Sequence, residues 1–219
     1  MTAYCNIHSH FPPRHPDDKT IINKIIKKEV RGGGEKEFSF LSVGIHPWYI
    51  ENPSRQLQQL EETLRLPNVV AIGEAGIDKL VDTPMNIQQE VFFAQARLAE
   101  RVQKPLIIHC VKAWQELLAI RKQIRPTVPW IIHGFRGNAR LAAQLIRQGL
   151  HLSFGEHFDP KALAVAWPDH LLAETDDKGA DICAVYQQIA TSLKIDAKTL
   201  ALQITKNARI FGADFVGCL

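Results

Sequence analysis

Five short apolar runs in this chain each end on a potential metal ligand, and this repetition constrains the fold more than any other feature. The ligands at the ends of these runs are His8 with His10, Glu74, His109, His133 and Asp176. Apolar runs of this length bounded by turn residues are typical of buried parallel strands. In a parallel α/β barrel the carboxyl ends of the strands converge on one face. Four imidazoles and two carboxylates gathered there suffice to hold two divalent cations.

The whole chain follows an alternation of strands and helices. Eight strands are predicted, at residues 4–9, 20–25, 38–45, 69–74, 106–109, 130–133, 150–154 and 171–174. Amphipathic helical patterns are predicted at 53–66, 88–103, 113–124, 139–148 and 182–193, with a last helix from about residue 197. In the first of these helices the Gln, Glu and Arg side chains are assigned to the polar face. Short links between alternating strands and helices indicate a parallel sheet with right-handed crossovers.

The first two crossovers depart from this pattern. Residues 11–18 contain three prolines, which lack the amide donor and clash with a preceding helical turn. Residues 27–36 contain three consecutive glycines and make a poor helix. The predicted fold is therefore a TIM-like (β/α)8 barrel in which the first two crossover helices are shortened or replaced by loops. At the other end, Asp196 is expected to cap the last helix and Gly212 to close it.

Composition limits the class of protein but not the substrate. The chain has 219 residues, of which 46% are hydrophobic and 22% charged, and no linker-like segment divides it, so residues 1–219 are expected to form a single domain. No apolar stretch approaches the roughly 20 residues of a membrane span, and no signal-peptide pattern opens the chain. A cytoplasmic monomer is expected. The four cysteines are scattered, which favours reduced thiols, and a net charge of +3 leaves the substrate open.

The spacing of the first two histidines suits metal binding. Residues two apart on a strand face the same side, so Asn6, His8 and His10 are expected to point together into the mouth of the barrel. Alone, such a pair is weak evidence. Together with Glu74, His109, His133 and Asp176 at other strand ends, the pair favours a metal site.

These residues lie in motifs that resemble, in order and over nearly the whole chain, the TatD-type metal-dependent deoxyribonuclease family of the amidohydrolase superfamily. The opening Asn6-Ile7-His8-Ser9-His10 resembles its Asp-x-His-x-His. The remaining matching segments are Gly44-Ile45-His46-Pro47, residues 72–78 (Ile-Gly-Glu-Ala-Gly-Ile-Asp), 105–110, 133–137 (His-Gly-Phe-Arg-Gly), 171–176 and 206–211.

The resemblance implies a role for each ligand. His8, His10 and Asp176 would hold one divalent cation together with Glu74, and Glu74 would bridge to a second cation held by His109 and His133. Asp176 would also accept the proton of the attacking water. The mixed nitrogen and oxygen ligands suit Zn, Mn or Mg. Substrate contacts are expected from His46, Lys112 and Arg136, each of which also has a structural or solvated interpretation.

Several positions depart from the family pattern or admit two interpretations. Asn6 stands where the family has Asp, Val111 where it often has Arg, and Asp177 begins a segment that replaces Pro-Tyr. Asp78 is expected either to orient a ligand histidine or to cap a loop. For Trp48 and Tyr49, packing at the rim is favoured over stacking on a base. Gly73 and Gly76 are interpreted as a turn rather than a phosphate loop.

The function favoured by these observations is that of a metal-dependent phosphodiesterase, an exonuclease that trims the ends of DNA or RNA. Because fold does not fix substrate, hydrolysis of another small phosphate ester or amide by the same metal pair is an alternative. A non-catalytic metal-binding scaffold is a further alternative, favoured by Asn6 and disfavoured by the complete ligand set.

Overall fold

A computed structural model describes residues 3–27 and 40–216 of the chain. Eight strands form one sheet in which sequence order is spatial order. They are β1 (Cys5–Ser9), β2 (Lys19–Ile25), β3 (Phe40–Gly44), β4 (Val69–Asp78), β5 (Leu106–Val111), β6 (Trp130–Ile132), β7 (Leu150–Phe154) and β8 (Leu171–Ala173). Parallel strands in sequential order with helices between them confirm the predicted (β/α)8 barrel fold.

The described residues form eight α-helices, and six of them follow the predicted amphipathic patterns closely. They are α1 (Pro53–Thr63), α2 (Met85–Val102), α3 (Trp114–Ile124), α4 (Ala139–Arg147), α5 (Pro160–Ala166), α6 (Ile182–Leu193), α7 (Ala197–Asn207) and α8 (Ala213–Val216). Asp196 caps α7 as expected, since its carboxylate accepts a hydrogen bond from Thr199 N at 2.9 Å. Gly212 follows the closing 3-10 turn with a φ of 104°. No helix within 3–27 and 40–216 is long and apolar enough to cross a membrane.

The chain forms two compact units, which we call the first unit (Met1–Ile22 with Trp130–Leu219) and the second unit (Asn23–Pro129). In the first unit β6, β7 and β8 pair in parallel, and β1 meets the end of β8 at a bridge between Ser9 and Asp176. In the second unit β3, β4 and β5 pair in parallel. The inward and outward apolar side chains of these strands are buried, as the continuous apolar runs predict. The single domain at residues 1–219 stays a prediction.

The connections between strands follow the prediction where the structure describes them, except between β7 and β8, where a helix was not predicted. Between β1 and β2 the structure has bends and a turn but no helix, as the prolines predict. The second crossover, predicted as a loop, lies largely within residues 28–39 and outside the described residues. The sequence analysis missed α5, although Asp159 accepts from Lys161 N at 2.9 Å and Pro160 occupies the first helical position. Both are ordinary helix-start signals, but the helix that follows is only 7 residues long.

Strands β4 and β5 run further than predicted, so Glu74 and His109 lie inside strands rather than at their ends. The register pairs Gly76 with His109 and Asp78 with Val111. Gly76 is part of this ladder, so its interpretation as part of a turn is wrong. A β-carbon on Gly76 would lie 1.8 Å from the carbonyl oxygen of His109. Glycine therefore allows the two backbones to approach beside a candidate ligand.

Replacing Gly76 with Ala is expected to destabilise the protein by about 1–3 kcal/mol or more, because the new methyl group must push β4 away from β5. The matched control is Gly155→Ala, where the nearest atom to the added carbon lies 3.6 Å away in ordinary contact. Urea unfolding of both variants measures the effect. Equal free energies of unfolding in Gly76→Ala and the wild type would contradict the close approach.

A pair of histidines in the first unit makes stability depend on pH. His151 on β7 and His170 have ring centroids 5.1 Å apart, and Nδ1 of His170 lies 3.1 Å from the Leu150 carbonyl oxygen. Burial, with a smaller contribution from His170, lowers the pKa of His151 from 6.5 to about 4. The folded state therefore favours neutral His151, and its contribution is fully present above pH 6.5.

As the pH falls from 6.5 towards 4, the unfolded chain binds a proton at His151 that the folded chain does not. The wild type is expected to lose up to about 3 kcal/mol more stability over this window than the non-titrating variant His151→Gln. Chemical unfolding at a series of pH values provides the comparison. Parallel pH profiles of the two proteins would show that burial does not perturb His151.

Candidate metal centre

The second unit brings His46, Glu74 and His109 together. These side chains offer ligand atoms that all lie within 4.8 Å of one another. Oε1 of Glu74 lies 3.0 Å from Nδ1 of His109 and 3.1 Å from Nε2 of His46. Glu74 and His46 are each 4% exposed, so the carboxylate is held in a nearly dry environment. A buried charge of this kind requires compensation by a cation or by hydrogen bonds.

His109 is oriented by Asp78, whose Oδ2 lies 3.1 Å from Nε2 of the imidazole. A neutral imidazole carries one N–H, and an ionised carboxylate can only accept, so the proton of His109 is on Nε2. The lone pair of Nδ1 then faces Oε1 of Glu74. Two such acceptors repel at this distance unless a proton or a metal cation lies between them. The pair therefore fits a divalent metal, held by a histidine whose other nitrogen is bound to a carboxylate.

His46 has the same tautomer as His109 but faces Glu74 with the other ring nitrogen, Nε2 instead of Nδ1. Its Nδ1 accepts a hydrogen bond from Trp48 N at 3.1 Å, so its proton is on Nε2, directed at Glu74. This side chain is a hydrogen-bond donor within the cluster. Asn23 completes the surroundings of Glu74, because its Nδ2 lies 3.3 Å from Oε2 and its Oδ1 accepts from Glu74 N at 2.8 Å.

Asp78 fulfils both of the roles predicted for it, since it orients His109 and also caps a loop by accepting from Leu80 N at 2.8 Å. Burial opposes its ionisation, but hydrogen bonds from Trp48 Nε1, Leu80 N and His109 together outweigh burial and lower the pKa of the carboxyl. Asp78 therefore remains charged and able to hold the His109 proton at neutral pH.

The first unit assembles a second cluster from His8, His10 and Asp176. Oδ1 of Asp176 lies 3.5 Å from Nε2 of His8 and 3.8 Å from Nε2 of His10. The two imidazole rings are perpendicular, with centroids 5.3 Å apart. His8 is fully buried, whereas the side chains of His10 and Asp176 are 29% and 28% exposed. The cluster is thus anchored inside the fold and open to solvent on one side.

His133 joins this cluster, with its ring centroid 4.4 Å from that of His8. Oε1 of Glu174 lies 3.3 Å from Nδ1 of His133 and accepts from Gly134 N at 2.7 Å. Glu174 is completely buried, and its Oε2 has no hydrogen-bond partner among the described residues. A buried carboxylate oxygen left in this state fits a nearby cation. Glu174 therefore orients His133 by accepting a hydrogen bond from its Nδ1. Asp78 orients His109 in the same way through Nε2.

The sequence analysis did not assign a role to Glu174. The signal that points to it is its position two residues before Asp176, because alternation along an extended chain directs such side chains to the same side. Asp176 itself has a φ of 54°, a conformation that is uncommon for a residue other than glycine. Two backbone hydrogen bonds stabilise it there, from Asp176 N to His8 O and from His10 N to Asp176 O, both at 3.1 Å.

Asn6, which replaces the family's Asp, forms a two-way contact with Thr175. Its Nδ2 donates to Thr175 Oγ1 at 2.8 Å, and its Oδ1 accepts from Thr175 N at 3.2 Å. Thr175 Oγ1 in turn contacts Ser9 Oγ at 3.1 Å. The amide therefore ties β1 to the segment that carries Asp176, a positioning role that uses both ends of the asparagine side chain.

The predicted substrate contacts are distributed over both units. Arg136 is exposed and lines a small cleft of the first unit together with Glu174, Asp176 and Lys178. Lys112 directly follows β5 in the second unit, is exposed and has a φ of 54°. His46 lies within the second-unit cluster. The role of each as a substrate contact stays a prediction.

Buried glutamines hold the loops of the second-unit cluster, which the sequence analysis did not predict. Gln95 of α2 accepts from Ile45 N at 2.7 Å and donates to Ile45 O at 3.0 Å. Gln88 bonds the backbone of Asp78 in the same two-way manner, at 2.7 and 3.0 Å. Gln56 of α1 is 2% exposed and donates to two carbonyls, so its assignment to the polar face was wrong. An amide that satisfies buried backbone groups overrides helical polarity patterns.

Comparisons with known proteins agree with this fold and with metal-dependent chemistry. The model of the family described as TatD related DNase matches residues 18–212. The uncharacterized metal-dependent hydrolase YabD of Bacillus subtilis (strain 168) is 31% identical over 198 residues, which cover 80% of this chain and 78% of YabD. The 3'-5' ssDNA/RNA exonuclease TatD of Rahnella sp. (strain Y9602) is 30% identical over 119 residues, 53% of this chain and 45% of that protein.

Among solved structures, YjjV, a TatD homolog from Escherichia coli K12, superposes with a TM-score of 0.79. The match covers 95% of this chain and 97% of YjjV at 22% sequence identity. A likeness at this level of identity supports the fold and carries no information about the substrate.

Removing the charge from a carboxylate that holds a ligand histidine is expected to weaken metal binding. Asp78→Asn and Glu174→Gln are each expected to lower affinity for Mn²⁺ or Zn²⁺ by roughly 10–100-fold, because the histidine loses basicity and fixed orientation. Isothermal titration calorimetry of the metal-free protein measures both variants. Asp196→Asn is the control, since it alters only a helix cap. Wild-type affinity in both variants would show that these carboxylates do not support metal ligands.

Proposed function

Because the chain belongs to the TatD-related DNase family, we propose that it is a divalent-metal-dependent phosphodiesterase that trims single-stranded DNA or RNA from an end. Membership of this family makes the protein a metal-dependent hydrolase. Support for the nucleic-acid substrate comes from relatives named as 3'-5' exonucleases, of which the Rahnella protein is an example, although the match spans less than half of that protein.

The observation that carries the proposal is the pair of carboxylate–histidine contacts, Asp78 with His109 and Glu174 with His133. Each contact fixes one imidazole tautomer and leaves the other ring nitrogen available as a ligand. A histidine that only packs in the core does not need a carboxylate on one ring nitrogen and a lone pair on the other. Here one such pair occurs in each unit of the chain. We assign one ion to His8, His10, His133 and Asp176 of the first unit, and a second ion to Glu74 and His109 of the second unit. The resemblance implied His133 for the second ion, but its ring centroid lies 4.4 Å from that of His8.

The chemistry that such an ion pair supplies when bound is Lewis-acid stabilisation of charge on the phosphoryl oxygens. Asp176 is the proposed proton acceptor for the attacking water, because its carboxylate is partly open to solvent and lies beside two imidazoles. Because Nδ1 of His46 accepts from Trp48 N, this histidine donates from Nε2. Arg136 offers a guanidinium for the phosphate. Lys112 is proposed as a second phosphate contact.

Zn, Mn and Mg each suit this mixture of nitrogen and oxygen ligands, and two ions are proposed. A monomer in the cytoplasm is the proposed state of the protein.

The direct test is incubation of the purified protein with end-labelled single-stranded DNA or RNA in the presence of Mg²⁺ or Mn²⁺. We expect progressive shortening of the strand that stops with EDTA and falls at least about 1000-fold in Glu74→Ala, because the buried carboxylate that would hold an ion beside His109 is lost. The matched control is Glu61→Ala, which removes an exposed carboxylate paired with Arg101.

Other outcomes separate the competing functions. Hydrolysis of small phosphate esters without action on nucleic acid would contradict the exonuclease and support the alternative hydrolase. Tight metal binding without turnover of either substrate class would contradict catalysis and support a scaffold.

A further inference from the structure

Trp48 is an exposed aromatic residue beside the second-unit cluster. It follows His46 in the 3-10 turn Pro47–Tyr49, and 56% of its surface is open to solvent. The sequence favours packing of this residue at the rim of the barrel, and such packing would bury the indole ring. An exposed ring of this size instead presents an apolar face that nothing within the described residues covers as it would in a core.

The indole is nevertheless held in place. Its Nε1 donates to Oδ2 of Asp78 at 2.7 Å, and its backbone N donates to Nδ1 of His46 at 3.1 Å. Thr83 Oγ1 fixes the same turn by donating to Pro47 O at 3.1 Å. An exposed ring with a fixed orientation binds a flat partner without first losing side-chain entropy. These contacts indicate a prepared surface rather than a side chain exposed by chance.

The held ring lies directly beside the candidate ligands. Its centroid is 5.1 Å from that of His46 and 6.1 Å from that of His109, at interplanar angles of 90° and 80°. Asp78 accepts from both Trp48 and His109 through the same oxygen atom. A group stacked on the indole would therefore lie close to His109, the imidazole that we assign to a metal.

A cation accompanies the aromatic surface. Nζ of Lys27 lies 4.0 Å from the ring centroid of Tyr49, the residue after Trp48. Surfaces that bind single-stranded nucleic acid combine aromatic rings, on which bases stack, with positive charges for the backbone. The aromatic residues of the turn and Lys27 beside Tyr49 thus offer both components within the second unit.

We propose that Trp48 is a stacking platform for the nucleobase at the cleaved end of the strand, with Asp78 as the residue that positions the indole. This inference rests on the proposed function. Because every base has an aromatic face, the platform accepts any of them, and it gives the enzyme a preference for strands that carry a base at this position.

The test compares single-stranded oligonucleotides that are identical except for a natural base or an abasic residue at the end that is degraded. Initial rates give KM and kcat, and fluorescence anisotropy in EDTA gives Kd without cleavage. The wild type is compared with Trp48→Leu, which removes the ring, and with Trp48→Phe, which keeps a flat ring but not the N–H. Leu202→Ala is the control, because Leu202 is a similarly exposed apolar side chain on α7.

We expect the wild type to bind the strand with a terminal base about 5- to 100-fold more tightly than the abasic strand. In Trp48→Leu the ratio of the two affinities is expected to fall to about one. The loss is expected to show in KM and Kd and not in kcat. Trp48→Phe is expected to keep a clear preference, and Leu202→Ala to match the wild type. Thermal unfolding of each variant separates loss of the platform from loss of the fold, and Trp48→Phe remains informative if Trp48→Leu unfolds.

The two proposals fail in different ways. A wild type that cleaves and binds strands without preferring a terminal base, or a folded Trp48→Leu that retains the preference, would overturn the platform and leave the exonuclease intact. A wild type that neither binds nor cleaves nucleic acid would overturn both.

Discussion

The hydrogen bond between a buried carboxylate and the far nitrogen of a ligand histidine is the interaction on which the candidate metal centre depends. Asp78 forms it with His109 in the second unit, and Glu174 forms it with His133 in the first. In each case the carboxylate determines which ring nitrogen carries the proton, and therefore which nitrogen remains a ligand. Without the Asp78 contact, His109 could turn its own N–H towards Glu74, in addition to the N–H that His46 already directs there.

The surrounding fold positions these pairs through backbone contacts that are costly to break. Gly76 lets β4 approach β5 at His109, and Gln88 holds the backbone of Asp78 from α2. In the first unit, Asn6 connects β1 to Thr175, next to an Asp176 with a left-handed backbone. Asn6 replaces an acidic residue of the family without leaving a gap, because its amide donates and accepts where a carboxylate only accepts. The replacement thus changes how the segment is held, and the candidate ligands His8, His10 and Asp176 still lie together.

The order of strands and the clustering of most candidate ligands could be predicted from the sequence, because both follow from simple periodicities. Apolar runs that end on His8, Glu74, His109 and Asp176 specify parallel strands, and the prolines of 11–18 exclude a helix. The resemblance then supplied roles that spacing alone leaves open.

What the sequence did not predict depends on long-range contacts. The extension of β4 to Asp78 follows from its pairing with β5, which a single run of residues does not display. The role of Glu174 depends on a histidine 41 positions away in the chain, and the burial of Gln56 depends on carbonyls of two distant segments. Helix α5 was missed because a segment of 7 residues is too short for its periodicity to stand out.

The most direct measurement of the central claim is anomalous diffraction from crystals grown with Mn²⁺. The account predicts one ion beside His8, His10 and Asp176, and another bound by Nδ1 of His109 and by Glu74, with Asp78 on the opposite ring nitrogen. Anomalous density absent from both positions, or an ion bound to Nε2 of His109 with Asp78 displaced, would contradict it.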